Sequence, residues 1–165
     1  MQMTISTEGL EEVGTMLAQL GGKAQDVASG SLYKGAGVVA DAMRQAVNSI
    51  QAAPQGRKNR PPAKTPARLP TPGEKAAVVD KTGIAKFRKE GGEVNTLIGV
   101  TGSAGYAMVD GKRKPVRLIA RAINSGTSFM KKQPVFRKAV SMSKGSAQAA
   151  IVARAEEMFN EIINS

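Results

Sequence analysis

The stretch Ile123-Asn124-Ser125-Gly126-Thr127-Ser128-Phe129-Met130-Lys131-Lys132-Gln133-Pro134-Val135-Phe136-Arg137-Lys138-Ala139 links a glycine turn, a basic loop and a Pro-aromatic step that runs into a terminal helix. Gly126 has no Cβ and can take the left-handed conformation that ends a short helix, and Pro134 presets the angle at which the next segment starts. Val135 and Phe136 then supply apolar surface to seat that segment on a core. Before the turn, Leu118, Ile119, Ala122 and Ile123 have the spacing of a short helix. After it, Ile151, Ala155, Met158 and Ile162 mark the inner face of a long final helix, with Ser141 and Ser143 at or near its start. This corner reads as architecture or assembly.

Working toward the N-terminus, Tyr106 to Val109, Val94 to Val100, Ile84 to Arg88 and Ala77 to Val79 read as strands. Their connections are Gly102 to Gly105, Gly91-Gly92 and Asp80-Lys81-Thr82-Gly83, and Asp110-Gly111 turns the chain after Val109. Such short glycine-containing links favour antiparallel hairpins. At the start of the chain, Met3 and Ile5 suggest a short strand. Thr7 can cap a helix carrying Leu10, Val13, Leu17 and Leu20, which Gly21-Gly22 ends. From Lys23 to about Ala53 an apolar stripe of Ala24, Val27, Ser31, Val39, Ala42, Met43, Ala46 and Ile50 predicts a long helix, with an interruption allowed around Gly30, Gly35 and Gly37. The expected class is α+β: N-terminal helices and a long C-terminal helix flanking a small, mainly antiparallel sheet.

The 165 residues suit one domain, 1–165, burying roughly 70% of the surface its unfolded chain would expose. With 41% hydrophobic but only 4% aromatic residues, the core must be built from aliphatic side chains and the eight methionines. Inside that domain, Pro54 to Pro72 stands apart. Pro54, Pro61, Pro62, Pro66, Pro70 and Pro72 alternate with Arg57, Lys58, Arg60, Lys64 and Arg68, and no acidic residue occurs. Repeated prolines preclude an uninterrupted helix or a central strand there. The segment is either a solvated connection or a basic arm that orders against a neighbouring subunit or nucleic acid.

Composition removes most enzyme chemistry. The chain has no cysteine, which excludes disulfides, thiol nucleophiles and cysteine-ligated metals, and no histidine, the usual general base and commonest transition-metal ligand. Gly35-Ala36-Gly37-Val38-Val39-Ala40 formally fits a dinucleotide fingerprint but lies in a helical pattern with no strand before it. Ser141-Met142-Ser143-Lys144 and Lys81-Thr82-Gly83 occur in the reverse of the order used by penicillin-binding serine enzymes. Glu156-Glu157 with Glu161, and Asp80 and Asp110, read as a solvated helix face and two turns. No catalytic, cofactor-binding or metal-ligating set is expected.

The formal charge is +11 and the isoelectric point about 10.2, which implies an anionic partner. Basic residues form three groups: the proline-rich segment, Lys112-Arg113-Lys114 with Arg117 and Arg121, and Lys131-Lys132 with Arg137 and Lys138. Converging on one face, they would make a salt-sensitive, sequence-independent phosphate surface. Two Tyr, four Phe and no Trp offer few platforms for base stacking. Glu8, Glu11 and Glu12 stand where a secretory leader would be basic and then apolar, and no apolar run approaches the ~18 residues of a membrane span. A soluble protein made in the cytoplasm is expected.

The layout of the opening stretch resembles a family of small neck or tail-completion proteins of long-tailed bacteriophages. Gly126-Thr127 and Gln133-Pro134 with Phe136 match the turn and loop-to-helix step of that family. Asn124-Ser125 replaces its Glu-Phe pair, and Val135 precedes the aromatic. Gly9-Leu10, Gly35-Ala36-Gly37-Val38-Val39-Ala40-Asp41-Ala42-Met43, Thr82-Gly83-Ile84 and Tyr106-Ala107 fall in the expected order, and the matched pieces span most of the chain except about residues 54 to 75.

The resemblance implies a virion structural protein assembled in the bacterial host cytoplasm. It would act in head-tail joining or tail completion as a homo-oligomeric ring between a connector or stopper protein and the tail terminator or tube. A hexamer would suit a siphophage tail, proximity to DNA is left open, and no membrane partner is expected. Gly126, Thr127, Pro134 and Phe136 would hold the corner or its interface. Arg57, Lys58, Arg60, Lys64 and Arg68 would offer an arm to an acidic neighbour. The alternative is a small basic protein that binds nucleic acid nonspecifically; a capsid-associated or tail-tube protein is a third reading.

Overall fold

The computed structural model describes residues 21–53, 67–90, 93–100 and 105–164. The strand at Met3 and Ile5 and the helix from Thr7 to Leu20 therefore lie outside the described residues, as do Arg57, Lys58, Arg60 and Lys64. What is described is an α+β fold: helices α1 (Ala24–Ser49), α2 (Pro72–Lys81), α3 (Val116–Ser125) and α4 (Val135–Ile163), with six short strands between α2 and α3.

The frame is the pairing of α1 with α4. Val27, Ser31, Gly35, Ala36, Ala40, Met43 and Val47 are buried on α1, and Ala139, Ser143 and Ala147 on α4. The helices run antiparallel, since Gly30 of α1 lies against Met158 and Gly35 against Ile151 and Ala147. A Cβ on Gly30 would stand 2.8 Å from the Met158 sulfur, and one on Gly35 would collide with the Ile151 side chain. Glycine here admits a neighbour, and α1 continues through both positions without the interruption the sequence allows.

The aliphatic core sits at the end of this pair where α1 finishes and α4 begins. Val47, Ile50, Val78, Val109, Val116, Ile119, Ala120, Ile123 and Met130 form it, with Val135 and Phe136 packed against it. At about 25 cal/mol per Å2 such side chains each contribute roughly 1.5–3 kcal/mol on burial. Leu118, by contrast, is exposed.

The strands make antiparallel pairs. β1 (Thr82–Ile84) pairs with β4 (Ile98–Val100), and β2 (Arg88–Glu90) pairs with β3 (Glu93–Asn95). Three residues separate β1 from β2, whereas Thr96 and Leu97 alone separate β3 from β4, so the hairpin carries one extra residue on its first arm. That is a bulge. The two expected strands Ile84 to Arg88 and Val94 to Val100 are thus each broken in the middle, and Thr96 bonds the Ala85 carbonyl across the break. β5 (Tyr106–Val109) pairs with β6 (Lys112–Pro115) through Asp110 and Gly111, whose positive φ of 53° and 73° make the tight turn its Asp-Gly sequence favours.

One expected strand is a helix. Ala77 to Val79 lies inside α2, because Thr71 caps that helix by accepting the Glu74 backbone N–H while the Glu74 side chain accepts the Thr71 N–H. Pro72 occupies the first turn, where a missing N–H costs nothing. The local cap outweighs the β-branched run Val78-Val79.

Candidate interface at the root of the basic arm

Two sets of bonds fasten the chain where it leaves for, and returns from, the proline-rich segment. On the outgoing side the Ala53 N–H donates to the Pro70 carbonyl at 2.9 Å. On the return, Arg68 N–H donates to the Phe129 carbonyl and Lys131 N–H to the Arg68 carbonyl, both at 2.9 Å, a parallel bridge around Met130. The segment is therefore rooted on the corner after α3, although the two are about 60 residues apart in sequence.

The corner itself is held by its own short-range bonds. Gly126 has φ 76° and ψ 169°, a positive φ as expected but with an extended ψ that is essentially restricted to glycine. A Cβ there would stand 2.9 Å from the Lys132 Cβ and 3.1 Å from its nitrogen. The Thr127 hydroxyl accepts the Met130 N–H at 3.0 Å, and Thr127 N–H donates to the Met130 carbonyl at 2.9 Å. This tight turn inserts Met130 into the core and leaves Phe129 outside. Gln133 N–H reaches back to the Ile123 carbonyl at 2.8 Å, Pro134 precedes the first residue of α4, and Phe136 packs on the core. Gly126, Thr127 and Phe136 thus shape the corner, while Pro134 is exposed.

Arg68 departs from its expected role. Its guanidinium grips Glu74 with two hydrogen bonds of 2.7 Å, one to each carboxylate oxygen, so it is part of the fold and not of an arm offered to a neighbour. Glu74 is 97% buried in its side chain terms, with 3% exposure, and also receives Lys114 Nζ at 3.0 Å and the Thr71 N–H at 3.0 Å. Burial pushes the Glu74 carboxyl up, but the hydrogen bonds from Arg68, Thr71 and Lys114 and the Arg68 charge outweigh it and hold the pKa at about 2. The bond to Glu74 in turn raises the pKa of Arg68 against its own partial burial.

The three basic groups are consequently divided in function. Lys114 is spent on Glu74 and Asp110, and Arg113 lies 4.4 Å from the centre of the Tyr106 ring. Arg117 and Arg121 stay exposed on α3. Beside the arm root, Lys131, Lys132 and Lys138 line an open groove of about 350 Å3 with Gln51, Leu69, Gln133, Pro134 and Val135. No carboxylate lines this groove, and none pairs with these lysines among the described residues. Three ammonium groups with no carboxylate partner among the described residues make this groove locally positive.

Sequence reading missed Glu74 as the buried counter-ion, although Thr71-x-x-Glu74 is a visible capping-box pattern. No group of three acidic, cysteine or histidine residues able to hold a metal occurs among the described residues. No helix among them is long and apolar enough to cross a membrane. The chain matches no family model, no curated protein and no solved structure.

Proposed function

We propose that the chain is a structural protein of the phage neck, joining head to tail or completing the tail by assembling between connector and tail. The observation that carries this reading is the rooting of a histidine-free, strongly basic segment on a hydrogen-bonded corner flanked by unpaired lysines. Such a construction suits adhesion by shape and charge. It also falls on the residues through which the chain resembles the neck family, Gly126-Thr127 and Gln133-Pro134 with Phe136.

In this reading the corner and the arm present Lys131, Lys132 and the segment carrying Arg57, Lys58, Arg60 and Lys64 to an acidic face of a neighbouring ring. Repeated head-to-tail contacts close into a ring around the tail axis. The test is in-vitro completion: purified chain is added to an extract of a phage-infected culture that lacks it. Restoration of joined particles by the wild type, and not by the Lys131→Glu/Lys132→Glu variant, is the expected result. Equal restoration by both contradicts the role given to this surface.

The unpaired lysines also favour a second reading, a nonspecific nucleic-acid-binding protein. Titration with duplex DNA at two salt concentrations separates the two. Tight binding that survives near-physiological salt supports the second reading, and negligible binding supports the first.

A further inference from the structure

Helix α4 carries apolar residues around its whole circumference, yet α1 covers one side of it. Inward, Ala139, Ser143 and Ala147 are buried, and Ile151 and Met158 meet the glycines of α1. Outward runs a second stripe, Lys138, Met142, Gly145, Ala149, Val152 and Glu156, whose steps of four and three residues are those of a helix-pairing seam. All six are exposed, Met142 by 74% and Val152 by 56%. Gly145 has nothing within 4 Å of where a Cβ would stand. A glycine in a helix interior is destabilising relative to alanine, and no contact among the described residues requires it.

We propose that this stripe is a two-fold docking surface for a second copy of the chain, with the two α4 helices antiparallel. The stripe is complementary to itself. Its members stand symmetrically about position 147: 138 with 156, 142 with 152, and 145 with 149. In an antiparallel pair centred there, Lys138 of each copy faces the other's Glu156, Met142 faces Val152, and Gly145 faces Ala149. Charge meets opposite charge at both ends, large apolar side chains meet in the intermediate layers, and the smallest residues meet at the centre, where the helices must approach most closely. The parallel arrangement would instead set Glu156 against Glu156. From Lys138 to Glu156 the seam is about 27 Å long.

The charges are free to make these contacts. The ion pairs on α4 join Arg154 to Glu157 at 3.0 Å and to Glu161 at 3.5 Å, while Lys138 and Glu156 have no partner among the described residues. The contact closes on itself and so differs from the head-to-tail contacts of a ring. It does not depend on the neck reading, and a failed tail-completion assay leaves it standing.

The test is sedimentation equilibrium of the full chain from about 1 to about 100 μM, the range of modest protein-protein affinities. A monomer-dimer equilibrium is expected, weakened about tenfold by Lys138→Glu or by Glu156→Lys, since each reversal creates two like-charge layers. The double variant Lys138→Glu/Glu156→Lys should restore the wild-type constant. Because the chain has no native cysteine, Met142→Cys/Val152→Cys gives a second readout: oxidation should link position 142 of one copy to 152 of the other. A monomer throughout this range, an assembly indifferent to both reversals, no rescue by the double variant, or links of 142 to 142 would each overturn the inference.

Discussion

Replacing Glu74 with Gln isolates what the buried carboxylate contributes. Glutamine keeps nearly the same shape and can still close the capping box with Thr71, so the cap is largely preserved. What disappears is the negative charge that accepts two hydrogen bonds from Arg68 and one from Lys114. Two cations are then left beside a side chain that is only 3% exposed, and breaking a buried pair from one side costs about 3–5 kcal/mol. Linkage gives a comparable figure. A carboxyl held at about 2 instead of the ordinary 4.5 contributes on the order of 3 kcal/mol above pH 4.5. Because the folded pKa is depressed, that contribution is complete above the unfolded value and is lost as pH falls toward 2. Urea unfolding followed by circular dichroism should therefore show the variant about 3 kcal/mol less stable at pH 7. The two proteins should converge as pH drops from 4.5 to 2, where the unfolded carboxyl is neutral and the wild-type folded one is half protonated. A difference below about 1 kcal/mol at pH 7, or one that does not change with pH, would refute the reasoning.

Gly126→Ala should lose about 1–3 kcal/mol in the same unfolding assay, because a positive φ with extended ψ is strained for alanine and Lys132 occupies the space. Gly35→Val should cost about 1–3 kcal/mol or more, since its methyls would enter the volume of Ile151; wild-type stability would contradict the close pairing of α1 and α4. Lys131→Glu/Lys132→Glu should leave stability within about 0.5 kcal/mol while abolishing tail completion, and unfolding of this variant would show that the lysines serve the fold instead.

Legibility followed the range of the interaction that decides each element. Helices α3 and α4 and the Gly126 corner were readable because periodic apolar positions and one glycine determine them locally. The Asp110-Gly111 turn was readable for the same reason, but its second strand, Lys112–Pro115, is too polar to announce itself. Ala77 to Val79 misled because β-branched residues suggested a strand, while the Thr71 to Glu74 cap that makes a helix begins six residues earlier. Gly30 and Gly35 suggested a break because the side chains that fill their space come from α4, more than a hundred residues away. Of the proposed site, Arg68 shows the limit most clearly. Its composition places it with Arg57, Lys58, Arg60 and Lys64, and only the fold brings Glu74 to it.

The central claim, a structural role at the joint of head and tail, is tested most directly by electron microscopy of particles from a parent phage in which this gene alone is disrupted. DNA-filled heads accumulating beside separate or defective tails are the predicted result. Normally joined particles would contradict the claim, and empty or unpackaged heads would point to DNA handling in its place.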